Sequence, residues 1–159
     1  GKVDYKELLR RWLEHMPEQP SWRVEDTLVL AAALKARGCD WIDASSGGIS
    51  PQQKIALQPG YQVPFAARIR RETGLATIAV GLINEPRHAE AIVANGEADL
   101  VALGRAMLWD PRWVWHAAAE LGGEVLPPPQ AGRAAPREHA QLFAKVPPAC
   151  AERRLALRE

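Results

Sequence analysis

Apolar and polar residues alternate along this chain with two different periods. Over residues 2–16 the apolar side chains recur at intervals of three and four, with charged residues between them, which predicts a leading amphipathic helix. From residue 21 onward, short runs of apolar residues are separated by longer segments with helical spacing. The runs predict strands at 41–44, 76–80 and 99–103, and the longer segments predict helices at 25–35, 64–73, 85–95 and 111–121.

Glycine and proline mark the ends of the predicted helices. Gly38, Gly74 and Gly96 follow three of the helical segments, where a left-handed residue can close the last turn. Pro86 stands at the start of the segment 85–95, where its missing N–H costs no hydrogen bond. Short buried strands separated by helices are typical of parallel βα units. The sequence therefore predicts an α/β fold with about three such units.

Composition divides the chain into three parts. Residues 1–20 hold the leading helix and a linker, and residues 21–126 hold the α/β body. Residues 127–159 are rich in Pro, Ala and Arg, which predicts an irregular, extended tail. Within that tail we expect helical turns only near 137–145 and 149–157.

Charge and composition argue against several classes of partner. Of the 159 residues, 47% are hydrophobic and 25% charged, and 20 basic against 19 acidic side chains give a net charge of +1. This balance predicts neither nucleic acid nor an acidic membrane surface as a partner. No apolar run reaches the roughly 20 residues of a membrane span, and the N-terminus lacks the apolar segment of a secretory signal. Cys39 and Cys150 form no CxxC pair, so we expect no disulfide framework, no thiolate metal site and a cytoplasmic setting.

Glycine also follows the end of each predicted strand. Ser45–Gly48, Gly81 and Gly104–Arg105 come directly after the three strands, at the edge where parallel α/β folds bind ligands. Glycine lets backbone N–H groups approach an anion closely, and the Arg105 guanidinium suits phosphate oxygens. The pair of strand ends at Gly81 and Gly104–Arg105 therefore predicts a phosphate site. The alternative is that these glycines only close tight turns.

Four segments then resemble a known family in order and spacing. Ordered along the chain, they are Trp41–Gly48, Pro59–Ala66, Ile78–Ile83, and Gly96–Arg105 with Asp110–Trp113 after it. They are similar to the sixth, seventh and eighth strands, with the connection after the sixth, of the bacterial branch of the old yellow enzyme family of NADH:flavin oxidoreductases. The resemblance covers residues 21–126 and implies the C-terminal part of a (β/α)₈ TIM barrel that binds FMN.

The resemblance implies roles for particular residues. The backbone amides of Gly81, Leu82, Gly104 and Arg105 would hold the FMN phosphate, with Arg105 also pairing with its charge. Ser45 and Ser46 would lie near the rim of the flavin.

A tail residue is the last candidate. In the bacterial branch an arginine of the C-terminal tail reaches a neighbouring subunit's active site, and Arg133 is its counterpart here. The family has an aromatic residue after the preceding glutamine, whereas Gln130 is followed here by Ala131 and Gly132. A solvated linker residue is therefore the alternative for Arg133.

The catalytic residues of the family come from strands that this chain does not contain. A complete barrel needs about 250 residues and eight strands, and the four histidines, His15, His88, His116 and His139, do not follow predicted strands. We therefore expect no catalytic residue and no reductase activity from this chain alone, although the intact family uses NAD(P)H and FMN to reduce activated alkenes. An incomplete sheet also predicts a complementing N-terminal half or a second copy as partner. The alternative function is a non-catalytic α/β phosphate-binding or assembly module.

Overall fold

The computed structural model describes residues 22–48 and 53–143. The predicted leading helix at 2–16 and the predicted turn at 149–157 lie outside these residues. The described helices are α1 (Val24–Ala36), α2 (Val63–Thr73), α3 (Pro86–Ala94), α4 (Arg105–Trp109) and α5 (Trp113–Leu121), and the strands are β1 (Trp41–Ala44), β2 (Ala76–Ala79) and β3 (Leu100–Val101). Two short 3-10 helices follow at Pro129–Ala131 and Arg137–His139.

The three strands form one parallel sheet in the order β1-β2-β3. Trp41 is paired with Ala76 at the start of β1, and Ala79 is paired with Val101 at the end of β2. α2 connects β1 to β2, and α3 connects β2 to β3. This arrangement confirms the α/β class and the three-stranded parallel sheet that the sequence predicts.

The helices begin and end where local residue chemistry allows. α2 and α3 both carry proline in the first turn, and α2 ends at Gly74 with a left-handed φ of 64°. At the start of α1 the Asp26 carboxylate accepts a hydrogen bond of 2.8 Å from the Arg23 amide, which satisfies a donor that the helix itself leaves free.

Two predicted elements differ from the structure. The strand at 99–103 shortens to Leu100–Val101, and it is not buried, because Leu100 is 50% exposed at the edge of the sheet. Next to this strand, the Asp99 side chain accepts a hydrogen bond from the Thr77 amide, and the Asp99 amide donates to the Thr77 carbonyl at 3.0 Å. The helix predicted at 111–121 begins at Trp113, and the separate helix α4 before it was not predicted.

Helices cover one face of the sheet. Strand residues that share this face, such as Thr77 and Ala79, are fully buried against a core that includes Ala66, Ile69 and Ile92. Side chains alternate along a strand, so the other face carries the remaining positions. On that face, within the described residues, Trp41 is 57% exposed, Asp43 is exposed and Ile78 is half-buried.

The described part of the tail folds back on α5. The Val125 amide donates to the Leu142 carbonyl at 2.8 Å, and the Phe143 ring meets Trp115 edge to face at 5.0 Å. Leu142 is buried. Residues 127–143 are irregular apart from the 3-10 helices at Pro129–Ala131 and Arg137–His139, the second of which lies within the predicted turn near 137–145, and the end of this stretch packs on α5.

No helix among the described residues combines the length and the apolar composition needed to cross a bilayer.

Candidate functional site

A small cavity lies where β2 and β3 end. Its volume is about 180 Å³, and Gly81, Leu82, Gly104 and Arg105 all line it. Tyr61 and Gln62, which precede α2, form another part of its wall. The structure thus brings together the four residues that the sequence groups at the ends of two neighbouring strands.

The backbone just after the C-terminal end of β2, which we call the β2 exit, adopts positive φ angles. Gly81 has a φ of 121°, and Leu82 follows with a φ of 53°, the one positive value among the described non-glycine residues. A Cβ on Gly81 would lie 3.0 Å from the Tyr61 ring, so this position requires glycine on two grounds. Trp113 holds the far end of the same loop by donating from Nε1 to the Asn84 carbonyl at 2.7 Å.

Four backbone amides at the cavity have no acceptor in the part of the chain that the structure describes. Within the described residues, the N–H groups of Gly81, Leu82, Gly104 and Arg105 donate no hydrogen bond to the chain. Gly81 is buried, and a buried amide is almost always paired with protein, water or ligand. A cavity lined by unpaired donors is suited to an anion.

Arg105 adds a positive charge to this wall. Its side chain is exposed, and none of the ion pairs among the described residues includes it. The space around Gly104 is open, since a Cβ there would meet no atom within 4 Å. The charge is therefore available to a ligand that enters beside Gly104.

Ser45 and Ser46 lie apart from this cavity. They line a larger one, of about 480 Å³, between the start of α1, the end of β1 and α2. Ser46 donates from both its amide and its hydroxyl to Oε1 of Gln62, the hydroxyl at 3.0 Å. The two serines therefore do not line the cavity at Gly81. Ser46 is linked to that cavity by its hydrogen bonds to Gln62, which is part of the cavity wall.

Arg133 lies outside both cavities. It is exposed and stands between the two 3-10 helices of the tail. His116 and His139 line a third cavity, of about 410 Å³, between α5 and the tail. His116 there contacts the Asp110 carboxylate, with 2.6 Å between Nδ1 and Oδ2. Within the described residues, no group of three or more His, Cys, Asp or Glu side chains could hold a metal ion.

Sequence reasoning missed Gln62. The residue belongs to the segment Pro59–Ala66, which drew notice only for its resemblance to a family. A polar side chain directly before an amphipathic helix is usually exposed, but Gln62 is 4% exposed and bonded at both ends of its amide. In the sequence, the signal for a role at the site was its place between Gly47–Gly48 and Gly81, the glycines that follow two predicted strands.

Known proteins are similar to this chain over about two thirds of its length. The family model of the NADH:flavin oxidoreductase / NADH oxidase family matches residues 22–124. An NADPH dehydrogenase of Geobacillus sp. (strain WCH70) is 52% identical over 102 residues, which are 64% of this chain and 30% of that protein. NADPH dehydrogenases of Geobacillus thermodenitrificans (48% over 107 residues, 67% of this chain and 31% of that protein) and Halalkalibacterium halodurans (45% over 111 residues, 70% and 32%) are also similar. The chain spans about a third of the length of the curated relatives it matches.

Proposed function

This chain belongs to the NADH:flavin oxidoreductase / NADH oxidase family, as its resemblance to the old yellow enzymes predicted, and we propose that it is the C-terminal part of an FMN-dependent NAD(P)H oxidoreductase that contributes the phosphate site. FMN is the cofactor that the family implies, and the names of the relatives point to NADPH as its reductant. The proposal concerns the part that this chain plays in such an enzyme.

The cavity at the β2 and β3 exits carries the proposal. The amides of Gly81, Leu82, Gly104 and Arg105 donate to none of the described residues. Together with the Arg105 guanidinium beside them, they match the donors that phosphate oxygens require. The volume of about 180 Å³ is below the roughly 300–1,000 Å³ of small-molecule pockets. It suits one end of FMN, so the isoalloxazine ring would need walls from elsewhere.

Bound FMN would supply the hydride-transfer chemistry. The residues of this chain orient the cofactor by its phosphate and neutralise part of its charge. In this proposal Ser45 and Ser46 lie near the flavin rim, in the neighbouring cavity. Arg133 is exposed, which suits both the reach to a neighbouring subunit and the role of a solvated linker residue. None of these residues is proposed as catalytic.

We further propose that residues 21–126 are three βα units of a (β/α)₈ barrel. The parallel sheet with helices on one face supports this, because a barrel keeps its helices outside and its other sheet face inside. Residues 1–20 and 127–159 would flank the barrel portion. The missing units would come from a complementing N-terminal half, and a cytoplasmic setting stays a prediction from the cysteine usage.

A second candidate function has its own support. Trp41 and Leu100 are exposed on the sheet face that the described helices do not cover. Apolar side chains in this position favour an assembly module that pairs with another copy of the chain. In that case the glycine loops would close turns without holding flavin. Absorbance at about 450 nm after purification separates the two candidates, since a retained flavin is yellow and a module without flavin is colourless.

Binding of FMN and of riboflavin tests the phosphate site, because the two differ only in the phosphate. We expect the chain to bind FMN more tightly than riboflavin in a titration that follows flavin fluorescence. Arg105→Gln should reduce this preference about tenfold, since it removes one charge-assisted contact. Arg71→Gln, an exposed arginine on α2 that pairs only weakly with Glu72, is the matched control. Equal or undetectable binding of both flavins would contradict the proposal.

A further inference from the structure

The Gln62 side chain lies between the exits of β1 and β2. It precedes α2 and is 4% exposed. Its Oε1 accepts hydrogen bonds from the amide and the hydroxyl of Ser46, and its Nε2 donates to the Val80 carbonyl at a longer 3.4 Å. The Ser46 amide can only donate, so the atom facing it must be Oε1, and Nε2 must face Val80. Both ends of the side chain are therefore assigned.

The segment Gly60–Gln62, which we call the brace, contacts the β2 exit at two successive carbonyl groups. Gln62 holds the Val80 carbonyl, and the Gly60 amide donates to the Gly81 carbonyl at 2.8 Å. The Tyr61 ring packs against Gly81 closely enough that a Cβ there would lie 3.0 Å away. Backbone and side-chain contacts of the brace thus meet at the same two peptide groups.

Peptide planarity turns these carbonyl contacts into control of two amides. The Val80 carbonyl and the Gly81 N–H belong to one rigid plane and point in opposite directions. The Gly81 carbonyl and the Leu82 N–H belong to the next plane in the same way. Fixing the two carbonyls therefore fixes the directions of the Gly81 and Leu82 amides, which line the cavity and have no acceptor among residues 22–48 and 53–143.

We propose that Gln62 is a positioning residue of the anion site, which orients the Gly81 amide and couples it to the β1 exit through Ser46. The inference rests on the proposed function, because it names what prepares the phosphate site of that function. Gln62 acts on the phosphate end of the ligand and not on its ring. Its loss should therefore weaken FMN binding more than riboflavin binding.

The test uses the full chain with Gln62→Met, which keeps the length of the side chain and removes its hydrogen bonds. Fluorescence titration with FMN and with riboflavin should show the ratio of the two affinities falling about tenfold, with riboflavin affinity little changed. Gln58→Met is the matched control, because Gln58 is exposed just before the brace and its backbone carbonyl accepts from the Tyr61 amide, while its side chain makes no hydrogen bond to the described residues. A glutamine that merely stabilises the fold would change both affinities alike.

Ser46→Ala provides a second route if Gln62→Met does not fold. It removes one of the two donors to Oε1 at an exposed position, and we expect the affinity ratio to fall about two- to threefold. A direct contact of Ser46 with the flavin ring would instead lower the affinity for both flavins and leave the ratio unchanged.

The outcomes distinguish the phosphate site from the positioning role of Gln62. If the unaltered chain shows no preference for FMN, the phosphate site and the positioning role both fail. If the preference exists and persists in folded Gln62→Met, the positioning role alone fails. When Gln62→Met is unfolded, an unchanged ratio of FMN to riboflavin affinity in Ser46→Ala shows that the positioning role fails.

Discussion

Two successive residues with positive φ shape the anion cavity at the scale of single residues. Gly81 adopts its φ of 121° without a Cβ to clash, but Leu82 holds a φ of 53° at a cost of about 1 kcal/mol. Strained backbone of this kind persists only where surrounding contacts hold it. Here the Gly60 amide and the Tyr61 ring on one side, and Trp113 on the other, supply those contacts.

Gly81→Ala should destabilise the chain. The new Cβ would meet Tyr61 at 3.0 Å and the residue would keep a φ that L side chains rarely adopt, so we expect the free energy of unfolding to fall by roughly 1–3 kcal/mol. Urea denaturation followed by circular dichroism measures this. Gly123→Ala is the control, because its φ is not in the positive range and its nearest contact would be an ordinary 3.7 Å. Equal urea midpoints for the two variants would show that the β2 exit does not require glycine.

The residues that shape the cavity could be predicted from the sequence only in part. Gly81 and Gly104 were predictable because glycine directly after a buried strand is a local signal. The role of Gln62 was not, because it depends on Ser46 and Val80, which lie 16 and 18 residues away along the chain. Residue type alone does not reveal which distant groups a side chain meets.

At the scale of elements, one carboxylate ties the starts of β2 and β3 to α2. Asp99 accepts a 2.9 Å hydrogen bond from the Thr77 amide, and its two carboxylate oxygens share the Nε–H of Arg70 at 3.1 and 3.0 Å. Arg70 also donates from Nη1 to the Gly96 carbonyl at 3.0 Å. This cluster lies at the edge opposite the cavity, where barrel folds place residues that serve stability.

The Asp99 cluster predicts a loss of stability in acid. The Thr77 amide first, and then the Arg70 guanidinium, hold the pKa of the Asp99 carboxyl below its usual value. A lowered folded-state pKa means that the stabilisation is complete above the pKa of the unfolded chain. It is lost as the pH falls through the folded-state pKa. Asp99→Asn should therefore flatten the decline of the urea midpoint between about pH 5 and pH 3.

The size of this effect is limited by solvent. The Asp99 side chain is 35% exposed, so the ion-pair part contributes about 1 kcal/mol or less at neutral pH. Asp40→Asn is the matched control, because Asp40 is exposed and makes no side-chain hydrogen bond within the described residues. The same acid slope in the Asp99 variant and the unaltered chain would rule out this assignment.

At the scale of the whole molecule, residues 22–48 and 53–143 place helices on one face of the sheet and none on the other. Trp41 and Leu100 stay about half exposed, and on α4 the side chains of Leu108 and Trp109 are more exposed still. Apolar area of this kind, together with an unpaired strand edge, promotes association. The exposed surface of the described residues therefore predicts a partner or a larger body that covers it.

We expect the purified chain to associate in a concentration-dependent way on gel filtration. Leu100→Lys should shift the chain towards the monomer, since a charged residue on an edge strand blocks pairing with another strand. Val29→Lys on α1 is the control, because Val29 is 73% exposed and lies away from the sheet. A chain that stays monomeric at every concentration would contradict the partner expected from the open sheet.

The sequence by itself determined the order of the three strands and of the four longer helices, the glycines at the strand ends and the family. These follow from local periodicity, from backbone preferences of single residues and from short motifs, all of which can be read within a few neighbouring positions. Only the tertiary structure decided that Ser46 bonds to Gln62 and does not line the cavity at Gly81, and that the Asp99 carboxylate joins Thr77 to Arg70. Those contacts depend on the register of the strands and on how the helices pack, which bring together residues that no local pattern connects.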